Sequence, residues 1–206
     1  MKYTRAIALP LSALAFALLA LPAHADEPGE AQAIVLDDFA DAAAAEERWM
    51  TVNDNVMGGR STGGPEFADG LLTFSGSTNT NGGGFSSIRT RPADHDLTGN
   101  AGLLIRVRGD GRTYKASLRT DVTNGRWQIP FRADFDTVEG QWLEVFIPFE
   151  DFTPTFMGRE IRDNAPVLDL AEVQSMGFMI YDKQDGPFQL EVDWVQAVAE
   201  VPASTE

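Results

Sequence analysis

Seven cationic side chains fall within 27 residues of this sequence: Arg106, Arg108, Arg112, Lys115, Arg119, Arg126 and Arg132. Only Asp110 and Asp121 oppose them there, in a chain that is otherwise strongly acidic. Guanidinium forks grip carboxylates and phosphates through paired hydrogen bonds, so clustered arginines are candidate anion-binding groups. Alternation puts Arg106 with Arg108, and Lys115 with Arg119, on the non-core faces of two expected strands. If those strands pair, Arg108, Lys115 and Arg119 make a stripe, with Trp127 nearby to stack on a ring. The same cations would serve equally as cross-strand partners of acids such as Glu191 and Asp193.

A second constellation is Asn53-Asp54-Asn55-Val56-Met57-Gly58-Gly59-Arg60-Ser61. Amide and carboxylate side chains ahead of a Gly-Gly pair could expose backbone amides beside Asp54 and Arg60 to hydroxyls or an anion. Asn and Asp also cap their own turns, which is the competing reading. Trp49, Asn53, Asp54, Met57, Arg60, Arg89, Arg108, Lys115, Arg119 and Trp127 are therefore the binding candidates. The Gly-rich stretch Asn79 to Gly84 lacks the Gly-Lys-Ser/Thr ending of a phosphate loop and reads as a connection.

Groups suited to catalysis are few. There is no cysteine, which excludes a disulfide framework, a thiol nucleophile, and zinc or iron–sulfur sites built on thiolates. His95 lies in the polar turn Asp94-His95-Asp96, and the nearby Ser86 and Ser87 show no nucleophile-elbow pattern. Acid pairs such as Asp134 with Asp136 follow from the acidity of the chain and do not by themselves define a glycosidase. Asp182 to Gly186 and Asp37-Asp38 hold oxygen ligands for a calcium ion but not the spacing of an EF-hand. The expectation is no enzyme activity, no cofactor and no committed metal site. With 31 acidic and 16 basic side chains, the formal charge of -15 also argues against nucleic acid as a partner.

Lys2 and Arg5, the apolar run Ala6 to Leu21 and the Ala23-His24-Ala25 ending read as a secretory signal peptide over residues 1–25. The run is too short to span a bilayer and contains Pro10. Cleavage would leave a mature chain with no transmembrane segment, expected in the periplasm. Residues 26–32 form a polar leader, 33–199 one domain and 200–206 a disordered tail. Within the domain the apolar period is two. Leu143, Val145, Ile147 and Phe149 share one face, as do Phe188, Leu190, Val192 and Trp194, and Tyr114, Ala116 and Leu118. Further strands are expected at 33–38, 71–77, 85–90, 103–108, 126–131 and 176–182, with one helix at 40–49. Turn clusters between short strands predict an all-β antiparallel sandwich or jelly roll.

The segment Trp49 to Gly63, reading WMTVNDNVMGGRSTG, resembles the signature of the complex I intermediate-associated protein 30 family. Gly84 to Arg89, Arg108 to Tyr114, Ile147-Pro148-Phe149, Gly177-Phe178 and Gly186 to Asp193 continue the resemblance in order, from about Phe39 to Val195. It implies a galactose-binding-like β-sandwich, no established catalytic residues, and a role in binding a protein client during assembly of NADH:ubiquinone oxidoreductase. The mitochondrial members differ from this chain in their address, since its N-terminus reads as an export signal. The alternative is a periplasmic module that binds a glycan-like or anionic small ligand. A wide apolar patch around Met57, Phe156 and Met157 would favour a protein client; a concave polar groove would favour the small ligand.

Overall fold

A computed structural model describes residues 33–200; the expected signal peptide and polar leader, and the tail beyond Glu200, lie outside the described residues. The chain runs β1 (Ile34–Asp37), α1 (Ala42–Arg48), β2 (Trp49–Asn53), β3 (Thr62–Ala68), β4 (Leu71–Thr78), β5 (Ser86–Thr90) and β6 (Gly102–Gly109). It continues through β7 (Thr113–Asn124), β8 (Trp127–Asp136), β9 (Trp142–Pro148), β10 (Thr153–Phe156), β11 (Arg159–Glu160), β12 (Ser175–Ile180) and β13 (Gly186–Val198). Short 3-10 turns at 54–57, 149–151 and 170–172 complete the described elements.

The strands form the expected antiparallel sandwich. One six-stranded sheet has the order β3-β4-β13-β6-β9, with β1 also pairing β13; a seven-stranded sheet has the order β11-β10-β8-β7-β12-β5-β2. Period-two alternation turns Leu72, Phe74, Ile105, Val107, Leu190 and Val192 inward from the first sheet. Ile88, Tyr114, Leu118, Phe131, Phe178 and Ile180 face them from the second, and all are fully buried or nearly so. Each such large apolar side chain stabilises the fold by about 1.5–3 kcal/mol through removal from water. Trp49 stacks on Phe178 with ring centroids 6.1 Å apart, and Phe74 meets Phe188 edge-on at 4.8 Å.

The expected helix is present but shorter. Asp41 caps it by accepting from the Ala44 amide at 3.0 Å, and the chain turns extended at Trp49. Trp49 is drawn inward because its Nε1 donates to Asp37 Oδ2 at 2.9 Å, while Arg48 Nη2 donates to Asp37 Oδ1 at 2.9 Å. Strands β2, β3, β10 and β11 were not expected from the sequence. Thr-Gly-Gly-Pro-Glu-Phe-Ala reads as a loop, yet as β3 it occupies a sheet edge, where proline is tolerated.

The connection from β6 to β7 crosses between the two sheets instead of closing a hairpin. Asp110 holds it by accepting from Tyr114 Oη at 3.0 Å and from the Gln189 amide at 2.8 Å. Arg112 then grips Asp182 with two bonds of 2.8 and 2.6 Å. The same guanidinium donates to Thr78 Oγ1 at 3.0 Å, Gln184 O at 3.0 Å and Pro187 O at 2.9 Å. This cation has no capacity left for a ligand; it fastens β4, β7 and the β12–β13 connection together. Arg112→Ala strips the part-buried Asp182 of its cation and leaves it only the Gln184 donors, and is expected to cost about 3 kcal/mol in chemical denaturation. A loss within the error of the measurement would refute this role.

Candidate functional site

Asp54 is fully buried, and its carboxylate organises the loop in which it lies. Oδ1 accepts from the Ser61 amide at 2.9 Å. Oδ2 accepts from Ser61 Oγ at 2.6 Å, the Gly84 amide at 2.6 Å and the Phe85 amide at 3.3 Å. A Cβ at Gly59 or Gly83 would collide with this carboxylate, so close approach requires both glycines. Burial works to raise the Asp54 carboxyl, but the bonds from Ser61, Gly84 and Phe85 outweigh it and hold it below its ordinary value. The two Gly-rich stretches noted in the sequence are thus halves of one structure clasped on Asp54.

This clasp settles where the neighbouring candidates point. Asp54 and Trp49 are inside and unavailable to a ligand. Asn53 is spent internally, donating through Nδ2 to Gly63 O at 3.0 Å and accepting from Ser86 Oγ at 2.6 Å. Met57 and Val56 stand on the outside of the 3-10 turn at 59% and 70% exposure, and Arg60 is exposed beside them. Ser87 Oγ donates to Val52 O at 2.6 Å. His95 is paired at the backbone with Val173, and burial lowers its imidazole despite the opposing charge of Asp94.

The stripe that would follow if the two basic strands paired does not form, and its cations divide between the two sheets. Strand β6 pairs with β13 and β9, and β7 pairs with β8 and β12, so β6 and β7 never meet edge to edge. Arg106 pairs with Asp193 and Arg108 with Glu191 across the β6–β13 ladder, and both guanidiniums lie about 5 Å from the Trp142 ring centroid. Lys115 pairs with Asp134 on β8. Trp127 sits at the tip of the β7–β8 hairpin, 57% exposed, with Arg126 over its ring.

Arg119 is placed differently. It faces outward from the seven-stranded sheet together with Arg89 of β5 and Arg132 of β8. Burial, then the like charges of Arg89 and Arg132, push its guanidinium down to about 9; burial and Arg89 push Arg132 down to about 10. Both stay cationic at neutral pH. Arg132 also lines a cleft of about 630 Å³ that includes Lys115, Thr153, Thr155 and Tyr181. Arg132 and Tyr181 were not among the site candidates, because their position depends on the strand register, which residue spacing alone does not reveal.

Among the described residues there is no group of three or more His, Asp or Glu arranged to hold a metal ion. Asp182 is committed to Arg112, Asp185 accepts from the Thr80 amide at 2.6 Å, and Asp37 is taken by Arg48 and Trp49.

The two packed antiparallel sheets make the chain a β-sandwich protein. A family 11 carbohydrate-binding module of a Clostridium thermocellum cellulase superposes with a TM-score of 0.62 at 16% identity, over 84% of this chain and 98% of that one. At that identity the likeness concerns the fold. The sequence is more specific: residues 38–192 match the complex I intermediate-associated protein 30 family, and the chain belongs to it. The mitochondrial complex I intermediate-associated protein 30 of Mus musculus is 39% identical over 106 residues, which is 50% of this chain and 32% of that protein. Its Drosophila melanogaster counterpart is 33% identical over 190 residues, 82% of this chain and 63% of that protein. The chain therefore spans less than two thirds of the length of either relative.

Both relatives are named as mitochondrial, which corrects the periplasmic expectation. That expectation rested on Lys2 and Arg5, the apolar run Ala6 to Leu21 and the Ala23-His24-Ala25 ending, all outside the described residues.

The depressed Asp54 carboxyl makes stability depend on acid. Its contribution is present above the ordinary value of 3.8 and is lost as pH falls through the lower folded value. Asp54→Asn turns an amide toward the donors and is expected to cost about 2 kcal/mol at neutral pH. In denaturant titrations the gap between wild type and variant should narrow as pH falls below about 4. A gap independent of pH contradicts the assignment.

Proposed function

We propose that this chain is a non-catalytic assembly factor that holds a protein client through apolar side chains displayed beside the Asp54 clasp. The observation that carries this reading is the family match over residues 38–192, which includes the clasp and its exposed turn. The relatives named above take their name from complex I intermediates, and the corresponding client for this chain is a partly built respiratory complex I.

The surface supports a protein partner. Val56 and Met57 project from a turn whose backbone is fixed by a buried carboxylate, so they are presented with little ordering cost. Met157, 75% exposed, projects from the β10–β11 turn. Tyr181 connects the two regions: it meets Phe85 edge-on at 6.5 Å and packs beside Gly158. Exposed methionines on a rigid frame suit an apolar client surface, since the flexible thioether adapts to irregular contours.

Cells lacking the chain should accumulate incomplete complex I on native gels, and the wild-type chain should restore assembly. Met57→Asp combined with Met157→Asp should weaken crosslinking to complex I subunits about tenfold or more without changing Tm. Normal complex I in cells lacking the chain refutes the assembly role. Full restoration by the double variant refutes the proposed surface.

A further inference from the structure

Six cations among the described residues find acid partners: Arg48, Arg106, Arg108, Arg112, Lys115 and Arg162. Eight more form no ion pair with any described residue, in a chain with nearly twice as many acids as bases; of these, Arg60, Arg91, Arg126, Arg159 and Lys183 are exposed to water. Arg89, Arg119 and Arg132 are unpaired and enclosed. Arg119 keeps 7% exposure, less than any other described cation, and Arg89 and Arg132 are partly buried.

The ladder register explains how they meet. Arg89 lies opposite Gly177 on β12, Gly177 opposite Ser117 on β7, and Ser117 opposite Arg132 on β8. Directly opposed residues share a face, and two residues along β7 from Ser117 comes Arg119 on that same face. Arg89 and Arg132 are three strand spacings apart, roughly 14 Å between backbones. Only a glycine and a serine stand between them, so the long side chains can lean inward over the strands. Arg132 is already oriented: Nη1 donates to Thr155 Oγ1 at 2.7 Å, and Thr155 donates on to Pro130 O at 3.2 Å. Its Nε is buried without any hydrogen-bond partner.

Gathering three like charges out of water, with one N–H left unsatisfied, lowers stability. Nothing within the described fold compensates for it. We propose that Arg89, Arg119 and Arg132 form an oxyanion-binding site on the outer face of the seven-stranded sheet, receiving a carboxylate or phosphate group. The incoming anion supplies the missing charge and the acceptor for Arg132 Nε, while two guanidinium forks remain to grip it. The adjoining cleft accommodates the remainder of the ligand, with the hydroxyls of Thr153 and Tyr181 in its wall. Asp151 and Glu160, which also line that cleft, confine the anionic group to the arginine end. The site goes beyond the assembly role and stands independently of it.

The test uses the full chain, with sodium phosphate and sodium citrate as probes and sodium chloride at matched ionic strength as control. Phosphate, citrate or both should raise Tm by several degrees over chloride, the responding probe identifying which oxyanion the site takes. Calorimetric affinity should fall about tenfold or more in Arg132→Gln and Arg89→Gln. Arg119→Met should abolish the response while leaving the anion-free Tm equal to or above that of wild type, because it removes an uncompensated charge. No rise over chloride with either probe overturns the proposal, as does a rise retained in the variants. A fall of several degrees in the anion-free Tm of Arg119→Met also overturns it, showing a structural cation.

Discussion

A charge taken out of water must be given a partner, and this sandwich is organised by where that requirement is met. Asp54, fully buried, is met by four donors from two loops, and those loops have a fixed shape because of it. Asp37 draws Trp49 and Arg48 to the start of the seven-stranded sheet. Arg112 and Asp182 close the crossing between sheets. In each case a short polar link fixes the position of apolar strands that would otherwise pack with less definition. The arginines on the outer sheet face are the exception, and the exception is what marks a site rather than a strut.

The same requirement resolves the charge pattern of the chain. The basic segment from Arg106 to Arg132 looks continuous in sequence, yet folding separates it into cations with different duties. Arg106 and Arg108 neutralise acids on β13, Lys115 meets Asp134, and Arg112 is saturated by carbonyls and a carboxylate. Arg126 lies over the exposed Trp127 ring, and Arg119 remains enclosed without an acid, joined by Arg89 from far earlier in the chain and by Arg132 from the next strand. The displayed methionines and the enclosed arginines are thus distinct chemical surfaces, one suited to an apolar protein contour and the other to an oxyanion.

Strands with clean alternation were legible from sequence, because the buried face of β7, β9 or β13 repeats every second residue. The glycine- and proline-bearing β3 was not, since its pairing with β4 overrides its weak local preference. The inward and outward faces of Lys115 and Arg119 were also legible, but their neighbours were not. Local alternation carries no information on which strand lies alongside, so the pairing of β6 with β7 stayed an open condition until the chain was seen to cross between sheets at Gly109 to Arg112. Asp54 read either as a ligand-binding group or as a cap of its own loop. Only the collision that a Cβ at Gly59 or Gly83 would cause shows that the glycines make room for its carboxylate.

The central claim is that guanidiniums both enclosed and unpaired on the outer sheet face are there to receive a ligand. The most direct measurement is an NMR titration of the arginine Nε–H resonances with citrate and phosphate. The account predicts saturable shifts of the Arg119 and Arg132 signals, with Arg112 unmoved because its bonds are already taken. Signals that remain still, or that all drift together as they do with added sodium chloride, would contradict it.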